Sequence, residues 1–232
     1  MIRHHGEHKH CAYTKTGQNQ SAESLRPRRI NLMKLFVSLL SPYVRKVRMV
    51  IIEKGLSDRV ELVESAPYDK PADLIAANPL GKIPALVRDD GTALFDSPVI
   101  CEYLDSLSDK NPLLPAGGED RIQVLQLLAF ADGITDAAYL STMERRRPAD
   151  EQSDTAWQAL RDKISRGLDA LEHNTPDINA DLNLGALGLA ASLGYVDFRH
   201  GDMNWRDGRP NLTAWLDEIS KRESFKETAP PA

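Results

Sequence analysis

From residue 33 onward the chain shows two kinds of hydrophobic order. Residues 34–39 form a short apolar run that reads as a strand. After Pro42 the spacing changes: Val44, Val47 and Ile51 share a helical face with Val50, and Gly55 stops the pattern near residue 54. Residues 60–64 alternate apolar and acidic positions, which predicts a second strand. Residues 72–77 suit a short helix, and the following NPLGKIP (78–84) is dense in turn formers. Segments 85–88 and 92–95 flank Asp89-Asp90-Gly91 and read as a hairpin whose Asp-Gly pair supplies positive φ angles. Residues 98–107 place Val99, Ile100, Tyr103, Leu104 and Leu107 on the apolar side of a helix. The order is βαβαββα. Two strands joined by a helix run parallel with a right-handed crossover, and a hairpin is antiparallel, so a four-stranded mixed sheet covered by helices is expected.

Residues 108–120 (SDKNPLLPAGGED) are rich in proline and glycine, and everything beyond them is helical in pattern. Ile122, Leu125, Leu128 and Ala129 mark one face of the first helix. Trp157, Leu160, Ile164, Leu168 and Leu171 recur at three and four over four turns. The run 184–196 is apolar nearly all round and belongs at the centre of a bundle. Its small residues (Gly185, Ala186, Gly188, Ala190, Ala191) allow close helix approach. Leu212, Trp215, Leu216 and Ile219 predict a final amphipathic helix. An α/β domain followed by an all-α bundle is the expected fold class.

Charge and composition narrow the function. A net charge of −5 disfavours nucleic acid and membrane surfaces as partners. The longest apolar run is shorter than the ~20 residues needed to span a bilayer. Cys11 and Cys101 lie far apart outside any CxxC, so no disulfide framework is implied and a cytoplasmic location fits. Residues 1–32 differ from the rest: they are basic, without apolar period, and hold His4, His5, His8 and His10. They read as a disordered extension or a mis-assigned start before Met33. Their irregular spacing makes a metal site with Cys11 the weaker reading, so no metal is expected. The resulting division is 1–32 extension, 33–108 α/β domain, 109–119 linker and 120–232 helical domain.

Ser-Pro occurs twice, at Ser41-Pro42 and Ser97-Pro98, each time between a predicted strand and helix. Serine is a favoured N-cap and proline suits the first helical position, so both are well-formed helix starts. The same geometry offers unpaired N–H groups and partial positive charge to an anion. Two such ends at one sheet edge suit a ligand with two anionic groups.

Together with MKLFVSLLSPYVRK, the segments NPLGKIPALV, DSPVICEYLD, DGITDAA, LGYVDFR and RESFKETAPP resemble the cytosolic glutathione transferases, most closely bacterial serine-type, tau-like and beta-like members. The resemblance implies a thioredoxin-like N-terminal domain, an all-helical C-terminal domain and a homodimer. It implies that Ser41 is the catalytic residue, a hydrogen-bond donor to the glutathione sulfur. A free thiol has pKa ~8.5, and bringing it to about 6.5 requires about 2.7 kcal/mol. No His or Asp stands beside Ser41 to form a triad. The redox cysteines of thioredoxin-like proteins are missing from Ser41-Pro42-Tyr43-Val44, which disfavours disulfide exchange. Pro84 matches the family's cis-proline, which lets the Ile83 backbone pair with the cysteinyl unit. Lys82 meets the glycyl carboxylate. Ser97 receives the γ-glutamyl carboxylate, and Asp96 balances its ammonium, although the family more often carries glutamate there.

The electrophile side is expected between Ser41 and the first helix of the second domain, with Tyr139, Leu140 and Met143 as wall. Cys101 reads as a buried, inert thiol, and Tyr43 as a weaker candidate for the catalytic hydroxyl. Arg145-Arg146-Arg147 reads as a solvated charge run. Asn183 opens the central helix where the family carries Ser/Thr-x-x-Asp, and Ala186 removes the reciprocal acid. The expected function is a glutathione transferase acting on a small electrophile or peroxide, with glutathione as co-substrate. The alternative is a non-catalytic module of the same fold.

Overall fold

The computed structural model describes residues 32–178 and 182–231. The histidines and Cys11 of the amino-terminal segment lie outside the described residues. The first elements are β1 (Met33–Val37), α1 (Pro42–Glu53), β2 (Val60–Glu64), α2 (Ala72–Ala77), β3 (Ala85–Val87), β4 (Ala93–Leu94) and α3 (Ser97–Ser106). The sheet order is β2-β1-β3-β4, with β1 parallel to β2 and antiparallel to β3, and β3 antiparallel to β4. Alternation along β1 divides the core. Met33, Leu35 and Val37 pack with Val44, Val47, Ile100 and Leu104 of α1 and α3, whereas Phe36 faces Leu74 and Ala77 of α2.

The hairpin forms, by a different route from the one its Asp-Gly pair suggests. Only Gly91 has positive φ (84°), while Arg88 N–H donates to the Thr92 carbonyl at 2.8 Å and Gly91 N–H to the Arg88 carbonyl at 3.0 Å. Three loop residues with the left-handed conformation confined to glycine spare Asp90 that strain.

The helical part comprises α4 (Gly118–Glu144), α5 (Asp154–Ile178), α6 (Leu184–Arg199), α7 (Pro210–Ile219) and α8 (Glu223–Glu227). All of residues 184–196 are buried, so α6 is the bundle centre. Asn183 caps it, its side-chain oxygen accepting from Ala186 N–H at 2.9 Å. The face expected for α4 holds at Leu125 and Leu128 but not at its edges. Ile122 is 56% exposed and Ala129 is also exposed, while Val124, Leu128, Ala131, Ile134 and Ala138 are buried. Apolar residues nearly surround the first half of α4, so its own periodicity selects no stripe and packing on α6 decides. A further departure is α8, a short helix beyond the expected last one, which docks on α1.

Arg45 and Lys46 of α1 and Lys54 at its C-cap are buried rather than solvated. The Lys46 ammonium lies 2.6 Å from Asp132 of α4, and Lys54 lies 2.8 Å from Asp105 of α3. The Arg45 guanidinium donates to the Phe225 carbonyl at 3.1 Å and stacks over that residue's ring. Burial and the neighbouring Arg48 bring the pKa of Arg45 down to about 10. These contacts fix α1, and the serine at its start, against α4 and α8.

Candidate active site

Ser41 is the N-cap of α1, with extended backbone (φ −84°, ψ 125°) and Pro42 as the first helical residue. Its hydroxyl oxygen accepts from Val44 N–H at 3.3 Å. That bond uses a lone pair and leaves the O–H proton available to another acceptor. No acidic side chain of its own occupies the first turn of α1.

The NPLGKIP loop lies between α2 and β3. Asn78 is buried and holds it: its amide donates to the Lys82 carbonyl at 2.9 Å, and its side-chain oxygen accepts from Leu80 N–H at 3.1 Å. Gly81 takes φ 61°, and the Ile83–Pro84 bond is cis. Pro84 is buried, Ile83 half-buried and Lys82 exposed. Sequence reading overlooked Asn78, although an Asx residue ahead of a Pro-Leu-Gly turn is the signal for such a clasp.

At the second Ser-Pro the structure shifts the cap by one residue. Asp96, not Ser97, is the N-cap of α3, and its carbonyl accepts from Ile100 N–H at 3.0 Å. Ser97 is therefore the first helical residue with Pro98 second, and its side chain is buried. Among the described residues no protein group hydrogen-bonds the Ser97 hydroxyl, which sits in the first turn among the helix's unpaired N–H groups. Asp96 is exposed beside it.

Helix α4 carries the other wall. Asp132, Asp136, Tyr139 and Met143 follow one another at four, three and four residues, a single stripe toward α1. Tyr43, two residues after Ser41, donates its hydroxyl to Asp136 and meets the Tyr139 ring edge-on, centroids 6.3 Å apart. Burial and the Asp136 carboxylate both raise the Tyr43 pKa, so its phenol stays protonated and committed to Asp136. Leu140 is half exposed and lies off the stripe, while Tyr139 and Met143 are half-buried on it. Burial and a hydrogen bond donated to Tyr68 push Tyr139 up to about 12. Tyr68 stands in a single 3-10 turn (Pro67–Asp69) between β2 and α2; sequence reading gave it no role.

Cys101 is fully buried in α3, and burial pushes its thiol up to about 12, so it remains an inert thiol. Of the three arginines at 145–147, Arg145 pairs with Asp154 at 2.8 Å and stacks on Trp157, and Arg147 pairs with Glu151 at 3.2 Å. Among the described residues no group of His, Cys, Asp and Glu is placed to hold a metal, and no helix is long and apolar enough to cross a membrane.

Two family models match the chain: the glutathione S-transferase N-terminal domain over residues 40–107 and its C-terminal domain over residues 154–218. The GST-like protein YibF of Escherichia coli is 38% identical over 202 residues, covering 86% of this chain and 99% of that protein. The chain belongs to the glutathione S-transferase family. A crystal structure of a glutathione transferase family member from Pseudomonas fluorescens with bound glutathione aligns with TM-score 0.83 and 43% identity, over 86% of this chain and all of that one. A second structure of that Pseudomonas protein, with bound S-(propanoic acid)-glutathione, aligns with TM-score 0.79 and 42% identity over the same share of this chain. The mixed sheet followed by a helical bundle is this family's thioredoxin-like and helical architecture.

Proposed function

We propose that this transferase binds glutathione across the ends of α1 and α3 and activates its thiol through Ser41 for attack on a small electrophile or peroxide. The observation that carries the reading is the Ser41 hydroxyl, which accepts from Val44 N–H at the start of α1 and keeps its own proton free. The bound structures of the Pseudomonas relative support the ligand, including one whose sulfur carries a substituent.

In this reading the cis Ile83–Pro84 turn offers the Ile83 backbone to the cysteinyl unit, and Lys82 meets the glycyl carboxylate. Ser97 and the α3 N–H groups take the γ-glutamyl carboxylate, with Asp96 beside the ammonium. The sulfur then lies near Ser41. A hydroxyl hydrogen bond and the positive pole of α1 both favour thiolate over thiol, and the released proton goes to solvent. The thiolate forms a carbon–sulfur bond with an electrophilic carbon as the leaving group departs with its bonding pair, or attacks a peroxide oxygen, breaking the O–O bond to give the sulfenic acid of glutathione and the alcohol. Tyr139 and Met143 form the wall on which the electrophile rests, and a homodimer is the expected assembly.

Ser41→Ala tests the role. The ultraviolet titration of bound thiolate moves its midpoint up toward the ~8.5 of a free thiol, while calorimetry gives nearly unchanged glutathione affinity. An unaltered titration removes Ser41 from catalysis. Glutathione that fails to bind the wild-type protein leaves the non-catalytic reading instead.

A further inference from the structure

Tyr68 is 72% exposed, yet its hydroxyl is held on both sides. It stands 3.1 Å from the Tyr139 hydroxyl and 3.1 Å from the Met143 sulfur, on residues 71 and 75 positions away on α4. Only one assignment of protons satisfies both contacts. The thioether has no proton, so Tyr68 donates to Met143 and Tyr139 donates to Tyr68. The chain of contacts therefore runs from the turn after β2, through Tyr139, to Tyr43 beside Ser41.

The turn itself is stiff. Pro67 opens it and Pro71 follows it, fixing φ at both edges, and Lys70 between them is left-handed at φ 51°. The ring, by contrast, is mostly in water and makes its link through its tip. One of its two bonds goes to a weak sulfur acceptor. A rigid base, a loosely packed ring and a hydrogen-bonded tip across a wall make a bar that swings by side-chain rotation without unfolding anything. Side-chain rotamers of exposed residues exchange in picoseconds to nanoseconds, far faster than turnover.

Resting on the assignment of the electrophile wall above, we propose that Tyr68 is a specificity-determining bar across that wall. Closed, it limits the substituent on sulfur to small groups lying along Tyr139. Longer apolar substituents pass only when the Tyr68 hydroxyl lets go of Tyr139 and Met143. The bar grades electrophiles by length and leaves the tripeptide's own contacts untouched.

The test uses ligands that fill both parts of the site without chemistry. Glutathione, S-methylglutathione and S-hexylglutathione are titrated calorimetrically into the full-length wild type, Tyr68→Phe and Met143→Leu. Tyr68→Phe keeps the ring and removes both hydrogen bonds. S-hexylglutathione should then bind about 5-fold or more tighter, with glutathione and S-methylglutathione within 2-fold of wild type. Met143→Leu removes one acceptor at similar volume and should shift the same ratio by a smaller factor. A purely structural role would move all three ligands together. An unchanged hexyl-to-methyl ratio in Tyr68→Phe, with glutathione still bound, overturns the bar alone. Failure of glutathione to bind the wild type overturns the bar and the functional reading beneath it.

Discussion

Lys46 of α1 and Asp132 of α4 form an ion pair at 2.6 Å in which the lysine side chain is 2% exposed and the aspartate 23%. Both carboxylate oxygens accept from the ammonium, at 2.6 and 2.8 Å. The pair ties the helix that starts with Ser41 to the helix that carries Asp136, Tyr139 and Met143. Burial outweighs the attraction of Lys46 and holds the Asp132 carboxyl above its usual range, so the pair is a positioning device rather than a net source of stability.

Removing one partner strands the other. Lys46→Met leaves Asp132 without its counter-charge and is expected to cost about 3 kcal/mol, the low end for a buried pair because Asp132 keeps some water. Lys46→Met combined with Asp132→Leu should recover most of it. Urea unfolding of the two variants checks this; a single variant as stable as wild type rejects it.

Gly185 sits in the first turn of α6 with α4 pressed against it. A Cβ there would lie 2.8 Å from the Val124 carbonyl oxygen and 2.9 Å from the Leu127 Cβ. Alanine favours the helix by about 1 kcal/mol, but backbone and a Cβ cannot swing aside as a long side chain does. Overpacking of this kind costs about 1–3 kcal/mol. Gly185→Ala is therefore expected to lower the thermal midpoint despite its better propensity, and a rise in the midpoint refutes the close approach.

Glu53, at the end of α1, accepts two hydrogen bonds from Arg222, each at 2.8 Å, and one from Ser224 at 2.6 Å. The Arg222 guanidinium, aided by the Ser224 hydroxyl, holds its carboxyl below the usual glutamate range against the opposing effect of burial. A depressed folded value means that the unfolded chain takes up the proton first. The stabilisation is complete above the unfolded pKa of about 4.3 and is lost as pH falls through the folded value. Glu53→Gln should flatten the acid limb of a stability–pH curve; a limb of equal steepness shows that α8 docking is not set by this group.

Ser97→Ala should weaken glutathione binding roughly 10-fold or more, the scale of a lost hydrogen bond to a charged group, with the thiol titration unmoved. Calorimetry distinguishes this from Ser41→Ala, where the two readouts trade places. Equal affinity in Ser97→Ala takes the carboxylate contact away from α3.

What was legible in the sequence was local. An N-cap serine before proline, the clustered turn residues of NPLGKIP and the apolar–acidic pattern at 60–64 are each decided within a few residues. β2 and α2 accordingly begin and end at the positions their patterns mark, and Ser41 caps as its pattern predicts. Even there the reach was limited: the Ser-Pro pattern puts Ser97 at the cap of α3, whereas the structure puts Asp96 there, with its side chain making no cap bond.

The sequence by itself determined the order of elements, the wholly apolar α6 and the Ser41-Pro42 helix start, because backbone preferences and hydrophobic periods act over one or two turns. Only the tertiary structure decided which stripe of α4 is buried, that Arg45, Lys46 and Lys54 leave water, and that Tyr68 reaches Tyr139 and Met143. Those outcomes depend on surfaces far apart in the chain. A charged or aromatic side chain carries no local mark of the partner that will desolvate it.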